Sequence, residues 1–413
     1  MPTKRIFLDQ LREGMYVAKL DVSWIRSPFL RHSFLIQERA QIDKLRRAGV
    51  RSVEIDVERG LDLPNGQAAG VDDAPGTSTP ASRSSSRTMQ PKSLSRLSEE
   101  YVQATAAAQQ LEQTVQSLYS GISEKGTADR NRTGEAIQEI RIVTRTVTRA
   151  ALFMTLSQNR GGDSTLSRHA LATCTLALIV GQTYGYNPLE LNELATAALL
   201  HDIGLLHIPP SLLQRCASTS SSLSERERQQ FRAHPRLSVT MLEREKGFEV
   251  SMLHLIDEHH TLLDGSGYPP ETRGEFTSGL TRILAISDRY DDLLTGFGGA
   301  TPLAPHQALQ RLYREAQEGQ LDRDIVSRLI KTFGIYPVHS CVRLNTRELA
   351  VVTEQNPSRL HQPVVTVTHE PDGAGYTMPF VVDLADQEGR IPERTIDSVL
   401  DVSPLSVEPV QTV

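Results

Sequence analysis

Five of the twelve histidines, His169, His201, His234, His259 and His260, are spread through one helical stretch of the chain. Two acids accompany them: Asp202 directly after His201, and Asp288 in the run AISDRYDDL. Imidazole and carboxylate together form a mixed ligand set for iron, manganese or zinc. Two of these positions are adjacent pairs, His201-Asp202 and His259-His260. Neighbours on a helix point about 100° apart. Such a pair suits a site with two nearby ions, or one ion gripped where a helix ends; Asp202, with two oxygens, can bridge. Each residue alone has a plainer reading. A lone histidine at a helix end is more often a satisfied structural residue, and His207, His254 and His306 keep that reading. Asp288 by itself reads as a helix-terminal or salt-bridge carboxylate, as do Asp291 and Asp292. The set is stronger than its parts: His201-Asp202-Ile203-Gly204 ends an Ala/Leu helix, and His259-His260 precedes a glycine turn, Asp264-Gly265-Ser266-Gly267-Tyr268-Pro269. Its glycines allow close backbone approach to a ligand. Tyr268 offers an aromatic face and a hydroxyl, and Pro269 fixes the exit.

These side chains need helices to hold them. From about residue 97 to 335 the apolar pattern is helical, with a Leu/Val/Ile face through 101–122 and again through 136–156. Asn187-Pro188-Leu189-Glu190 reads as a helix start with Asn as N-cap, Pro at N1 and Glu at N3. That helix is expected to run to Gly204. Ser224 and Glu227 form a second capping box. Residues 1–62 alternate apolar and polar in short runs (GMYVAKLDVSW, RSVEID) around a charged helical stretch ending at Gly49, an α/β unit. Residues 63–96 are rich in Pro, Gly and Ser and read as a flexible linker. Residues 336–413 change period again, with CVRL, LAVVTE, PVVTVT and MPFVVDL as short strands. The expected fold is mainly α, a helical core with its metal-bearing part at about 160–300, flanked by a small N-terminal α/β domain and a small C-terminal β appendage.

The bulk properties narrow the chemistry. At 413 residues the chain can form two or three domains. A formal charge of −6 argues against a broad grip on DNA or RNA. A small phosphate ester stays open, because bound metal supplies positive charge locally. Cys174, Cys216 and Cys341 are far apart, with no CxxC or CxxxC pair, so neither a zinc knuckle nor a disulfide framework is suggested. Free thiols fit a reducing cytoplasm. The start lacks an apolar signal region, and the stretch Leu171–Val180 is too short to span a bilayer. A soluble cytoplasmic protein without a membrane span is expected.

His201-Asp202-Ile203-Gly204, Ile208-Pro209, His234-Pro235, His259-His260 with Asp264-Gly265-Ser266-Gly267-Tyr268-Pro269, and Ala285-Ile286-Ser287-Asp288-Arg289-Tyr290-Asp291 resemble the HD-GYP domain of the HD superfamily in order and spacing. The resemblance covers about residues 160–355, including Gly334-Ile335-Tyr336-Pro337-Val338. Leu11-Arg12-Glu13-Gly14-Met15-Tyr16-Val17, Trp24 and Pro28-Phe29 are similar to the DUF3391 domain that often precedes it. The resemblance implies an HD-superfamily helical core and a phosphodiesterase that hydrolyses cyclic di-GMP to a linear dinucleotide or GMP, with Asp202 and His201 catalytic. It implies two divalent ions, iron or manganese, which would activate water and neutralise phosphoryl charge. His169, His201, Asp202 and Asp288 would hold one; Asp202 would bridge to a second, held by His234, His259 and His260. The third metal of some members needs a Glu one turn before the first His, where this chain has Thr165. Asp264, Gly265, Gly267, Tyr268 and Pro269 would bind substrate. The same loop would serve a GGDEF or other signalling protein as partner, and the family form admits a homodimer.

The chain departs from the family pattern at Leu205, where a Lys is usual, and at Thr261 and Leu262, where Glu and Arg are usual. Each lost charged hydrogen bond is worth roughly 1.5–3 kcal/mol, on the order of ten- to a hundredfold in rate. Two readings of the HD-GYP type therefore stand: an active cyclic di-GMP phosphodiesterase, favoured by the complete ligand set, and a weakly active or inactive module that binds cyclic di-GMP or a partner signalling protein. A third, an HD hydrolase of mononucleotides, is disfavoured by the GYP loop.

Overall fold

The computed structural model describes residues 3–20, 34–36, 39–47, 50, 52–57, 59–61, 94–158, 165–216, 223–245, 247–270, 274, 277–296, 301–387 and 392–400. Trp24, Pro28, Phe29, Gly49 and residues 63–93 of the expected linker lie outside them, whereas 94–96 already belong to a helix. The chain divides into two units, residues 1–90 and 91–413.

In the first unit, β1 (Thr3–Phe7), β2 (Tyr16–Leu20), β3 (Phe34–Leu35) and β4 (Ser52–Asp56) form an antiparallel sheet in the order β1-β4-β2-β3. The alternation of side chains along a strand puts Ile6, Val17, Val53 and Ile55 on one face. There they pack against Ile42 and Leu45 of α1 (Arg39–Arg47).

The second unit is helical for most of its length. It runs through α2 (Leu94–Lys125), α3 (Arg130–Thr146), α4 (Arg149–Gln158), α5 (Leu166–Thr183), α6 (Pro188–Leu200), α7 (Pro210–Cys216) and α8 (Glu225–Arg232). It continues through α9 (His234–Glu243), α10 (Val250–Asp257), α11 (Gly279–Thr295), α12 (Pro305–Gln317) and α13 (Arg323–Phe333). The apolar stretch 136–156 is not one helix. It breaks at Val147, whose backbone is extended. Just before the break, the Thr144 and Thr146 hydroxyls donate to the carbonyls of Arg141 and Ile142, and such local bonding weakens a helix. At the centre lies α5, buried on nearly every side and packed against α6 and α11.

Helix α6 starts as expected. Asn187 Oδ1 accepts from the N–H groups of Leu189 and Glu190 at 2.8 and 3.0 Å, and Glu190 accepts from the Asn187 N–H at 2.8 Å. The end differs from expectation: the helix stops at Leu200, and Gly204 falls in a 3-10 turn, Ile203–His207. Gly204 sits against α9. Its N–H donates to Ser238 Oγ at 2.8 Å, and a Cβ built there would lie 2.7 Å from Ser238 N and collide with the His234 carbonyl.

The C-terminal part is an antiparallel sheet in the order β8-β7-β6-β5-β9. It comprises β5 (Cys341–Leu344), β6 (Leu349–Glu354), β7 (Val364–His369), β8 (Gly375–Asp383) and β9 (Ile396–Leu400), around a core that includes Val342, Val352, Val365 and Val367. The four strands expected from the apolar runs are present. β9, IDSVL, was not expected; it pairs along β5, Cys341 facing Leu400.

The close approach at Gly204 yields a test. Gly204→Ala should lower the free energy of unfolding by about 1–3 kcal/mol, the usual range for overpacking. Urea titration should show a lower midpoint with an unchanged slope; an unaltered midpoint would mean that α9 yields to the extra methyl.

Candidate metal centre

Three of the five histidines are positioned by one local device. His201, His234 and His259 stand just beyond the last residues of α6, α8 and α10. In each, Nδ1 lies against the carbonyl three residues back: Ala198 O at 2.8 Å, Phe231 O at 2.8 Å and Ile256 O at 2.6 Å. A helix leaves its last carbonyls unpaired. A carbonyl can only accept, so each Nδ1 carries the proton and each neutral ring presents a bare Nε2. His169, on the first turn of α5, uses a side chain instead: its Nδ1 lies 2.7 Å from Asp291 Oδ2. The two carboxylates of the expected ligand set come from the 3-10 entry (Asp202) and from α11 (Asp288).

The Nε2 atoms converge in two sets. In the first, His169 Nε2 lies 3.2 Å from His201 Nε2, and Asp288 Oδ1 is 3.0 and 3.3 Å from the two. In the second, His234 Nε2 lies 3.4 Å from His259 Nε2 and 3.1 Å from His260 Nε2. Asp202 faces both: Oδ2 is 3.6 and 3.5 Å from His169 and His201, while Oδ1 is 3.0 and 3.5 Å from His234 and His259. Oδ1 is buried yet accepts no aligned hydrogen bond. Donor atoms bound to one ion at about 2.0–2.2 Å lie roughly 2.8–3.6 Å apart for bond angles near 90–110°. The spacings here match, and lone pairs facing one another need a cation between them. The cluster is suited to hold a divalent metal.

Its electrostatics point the same way. Burial would push the Asp202 carboxyl up, but His201 and His234 outweigh it and hold the group well below the usual range. Asp288 behaves alike, burial being overcome by hydrogen bonds with His169 and His201. Burial pushes His259 and His260 down, His260 further because the adjacent His259 disfavours a second positive charge beside it. Burial also lowers His169, but Asp288 and Asp291 raise it well above its ordinary value. The field that would draw a proton between His169 and Asp288 also draws a metal ion, which must displace that proton.

Asp291 and Asp292, expected to be helix-end or salt-bridge carboxylates, both belong to the site. Asp291 orients His169, and Asp292 has a ligand atom within 4.8 Å of those of His169 and Asp288. Burial and the neighbouring Asp288 charge push the Asp292 carboxyl well up. The signal was available, since residues i, i+3 and i+4 share one helix face. Ser238 was also missed. Buried on α9, its Oγ accepts from Gly204 N–H and lies 2.6 and 3.0 Å from the carbonyls of His201 and His234, to either of which it can donate. It thereby ties the two histidine segments together.

A cavity of about 370 Å³ opens beside the cluster, reached by His234, His259, His260, Asp202 and Asp288. Gly267 and Tyr268 line it; Asp264, Gly265 and Pro269 do not. The Asp264 carboxylate accepts from Ser266 N–H and Oγ at 2.9 and 2.7 Å, and Gly265 has a φ of +79°. The close approach expected of the glycines is made by Gly267 to the chain itself. A Cβ there would collide with the His260 carbonyl and lie 2.5 Å from Leu262 N. The loop thus folds back on the histidine pair, with the Tyr268 ring centroid 4.5 Å from that of His260. Of the departures, Leu205 packs with Ile208, Leu212 and Cys216, Leu262 forms an apolar part of the cavity wall, and Thr261 is buried. His207 and His254 are both exposed and stand outside the cluster.

The HD domain family profile matches residues 149–325, and the profile of a domain of unknown function (DUF3391) matches residues 3–133. A cyclic di-GMP phosphodiesterase of Pseudomonas aeruginosa is 29% identical over 365 residues, 88% of this chain and 84% of that protein. A cyclic di-GMP phosphodiesterase response regulator of Xanthomonas campestris pv. campestris is 33% identical over 147 residues, 35% of this chain and 37% of that protein. Among solved structures, a HDG"Y"P protein from Bdellovibrio bacteriovorus has 16% identity and a TM-score of 0.46, covering 79% of this chain and 98% of that one. No helix among the described residues is long and apolar enough to cross a membrane.

Ser238→Ala tests the tie between the histidine segments. It leaves the buried Gly204 N–H without a partner, at a cost of about 1–3 kcal/mol. Thermal unfolding of metal-free protein should show the loss; an unchanged Tm would mean that Gly204 finds another acceptor.

Proposed function

We propose that the chain, whose residues 149–325 match the HD domain and 3–133 the DUF3391 domain, is an HD-GYP-type, metal-dependent phosphodiesterase hydrolysing cyclic di-GMP to a linear dinucleotide or GMP. One observation carries the reading: Asp202 turns one oxygen toward His169 and His201 and the other toward His234 and His259. A carboxylate so placed suits two ions. His169, His201, Asp288 and Asp202 would hold the first; Asp202, His234, His259 and His260 would hold the second. Five imidazoles and two carboxylates are a donor set suited to iron or manganese. Divalent ions bound there supply Lewis acidity toward phosphoryl oxygens and lower the pKa of water toward neutrality.

The chain's own side chains do the positioning. Asp202 and His201 stand where the two sets meet, so both govern the geometry of the reacting phosphate. Asp291 keeps the His169 ring in its tautomer through Nδ1. Tyr268 walls the cavity beside His260 and limits how a nucleotide enters. The buried, unpaired thiols of Cys174, Cys216 and Cys341 support a reducing cytoplasmic setting.

A second reading is favoured by one observation. Leu262 lines the cavity where the family pattern has a charged residue. On that reading the protein is a weakly active or inactive module that binds cyclic di-GMP or a signalling partner such as a GGDEF protein, met by the exposed loop tip at Asp264, Gly265 and Ser266.

Four outcomes follow. Elemental analysis of protein purified without chelator should find near two transition-metal ions per chain, and their removal should abolish cyclic di-GMP turnover. Asp202→Ala should empty both positions and cut turnover by more than about a hundredfold, beyond the usual effect of removing a ligand's supporting partner. Tyr268→Ala should keep its metal and raise KM. Asp291→Asn should weaken metal retention about ten- to a hundredfold, read by competition with a chelator. Full metal content and wild-type turnover in Asp202→Ala would make the Asp structural and put the second reading first.

A further inference from the structure

A cyclic dinucleotide carries two phosphodiesters, one ribose apart. The ion-binding cluster can neutralise only the one being cut, so the other needs a cation of its own. Three guanidinium groups line the cavity: Arg232, Arg289 and Arg311. Two are already engaged. Glu315, buried at the cavity floor, accepts from Arg289 at 2.8 and 3.2 Å and from Arg311 at 2.8 Å. Arg232 pairs with no carboxylate among the described residues. Its guanidinium carbon stands 5.4 Å from the Tyr268 ring centroid, an aromatic contact that orients the group and leaves its donors open. Tyr268 in turn packs on His260, so Arg232 lies one aromatic ring away from the metal-facing histidines, in the same cavity. The backbone beneath it is fixed, since the Phe231 carbonyl accepts from His234 Nδ1 at 2.8 Å. The neighbouring wall offers no substitute, for Leu262 is apolar there and Asp292 is acidic.

We propose that Arg232 binds the uncut phosphodiester of the cyclic dinucleotide and so distinguishes a dinucleotide from a simple phosphodiester; this rests on the cyclic di-GMP reading above. The planar fork of a guanidinium matches two phosphate oxygens at once, which an ammonium cannot do.

The test compares two substrates on the metal-loaded full chain: cyclic di-GMP, and bis(p-nitrophenyl) phosphate, which has a single phosphate. Arg232→Gln should raise KM for cyclic di-GMP roughly ten- to a hundredfold, the range of one charge-assisted hydrogen bond. It should leave kcat, metal content and both kinetic constants for bis(p-nitrophenyl) phosphate unchanged. Arg232→Lys should restore part of the KM. An unchanged KM for cyclic di-GMP overturns the proposal. An equal loss on both substrates, or loss of metal, also overturns it, because Arg232 would then act through His234. A wild-type protein that cleaves bis(p-nitrophenyl) phosphate but neither binds nor cleaves cyclic di-GMP removes the functional reading and this proposal together, and that result appears before any variant is made.

Discussion

A histidine that must offer a lone pair at one ring nitrogen has to settle a proton on the other. At three positions this protein meets that demand with carbonyls that helix ends leave unpaired. The requirement dictates where helices stop. α6, α8 and α10 end within two residues of His201, His234 and His259, so the polar ends of three helices face a common centre. His169 lies inside the first turn of α5, where no such carbonyl is free, and Asp291 serves in its place.

Collecting five imidazoles and two carboxylates out of water is costly unless every atom is answered. The surrounding helices answer the outward-facing atoms, leaving the inward-facing ones for a cation. The apolar character of α5 and α6 excludes water from behind the cluster. Ser238 and Gly204 remove the slack between the His201 and His234 segments, one by hydrogen bonding and the other by having no side chain. Asp202 can then turn its oxygens in two directions, because the segments on either side are held.

Much of the site was legible from residue type and order. Adjacent His-Asp and His-His pairs need little structural context, because a donor pair at a helix end has few other uses. The start of α6 was legible for a similar reason: an Asn-Pro-x-Glu run caps locally. Its end was not. Gly204 looks like a helix terminator, but its role is contact with α9, 34 residues away from it at Ser238. Asp291, read as a helix-end or salt-bridge carboxylate, does pair, and its i+3 spacing marks the helix face it shares with Asp288, but its partner His169 stands 122 residues away and could not be read from neighbours. The division of 136–156 turned on threonine hydroxyls competing for carbonyls, against an apolar pattern that continues through the break. β9 carries too few apolar residues to stand out, and is a strand through its pairing with β5.

The capped histidines also bear on the order in which the molecule matures. Because Ala198, Phe231 and Ile256 are already satisfied by ring N–H groups, those helix ends are complete before any ion arrives. A divalent ion reaching the cluster would therefore meet helix ends that need no rebuilding around it.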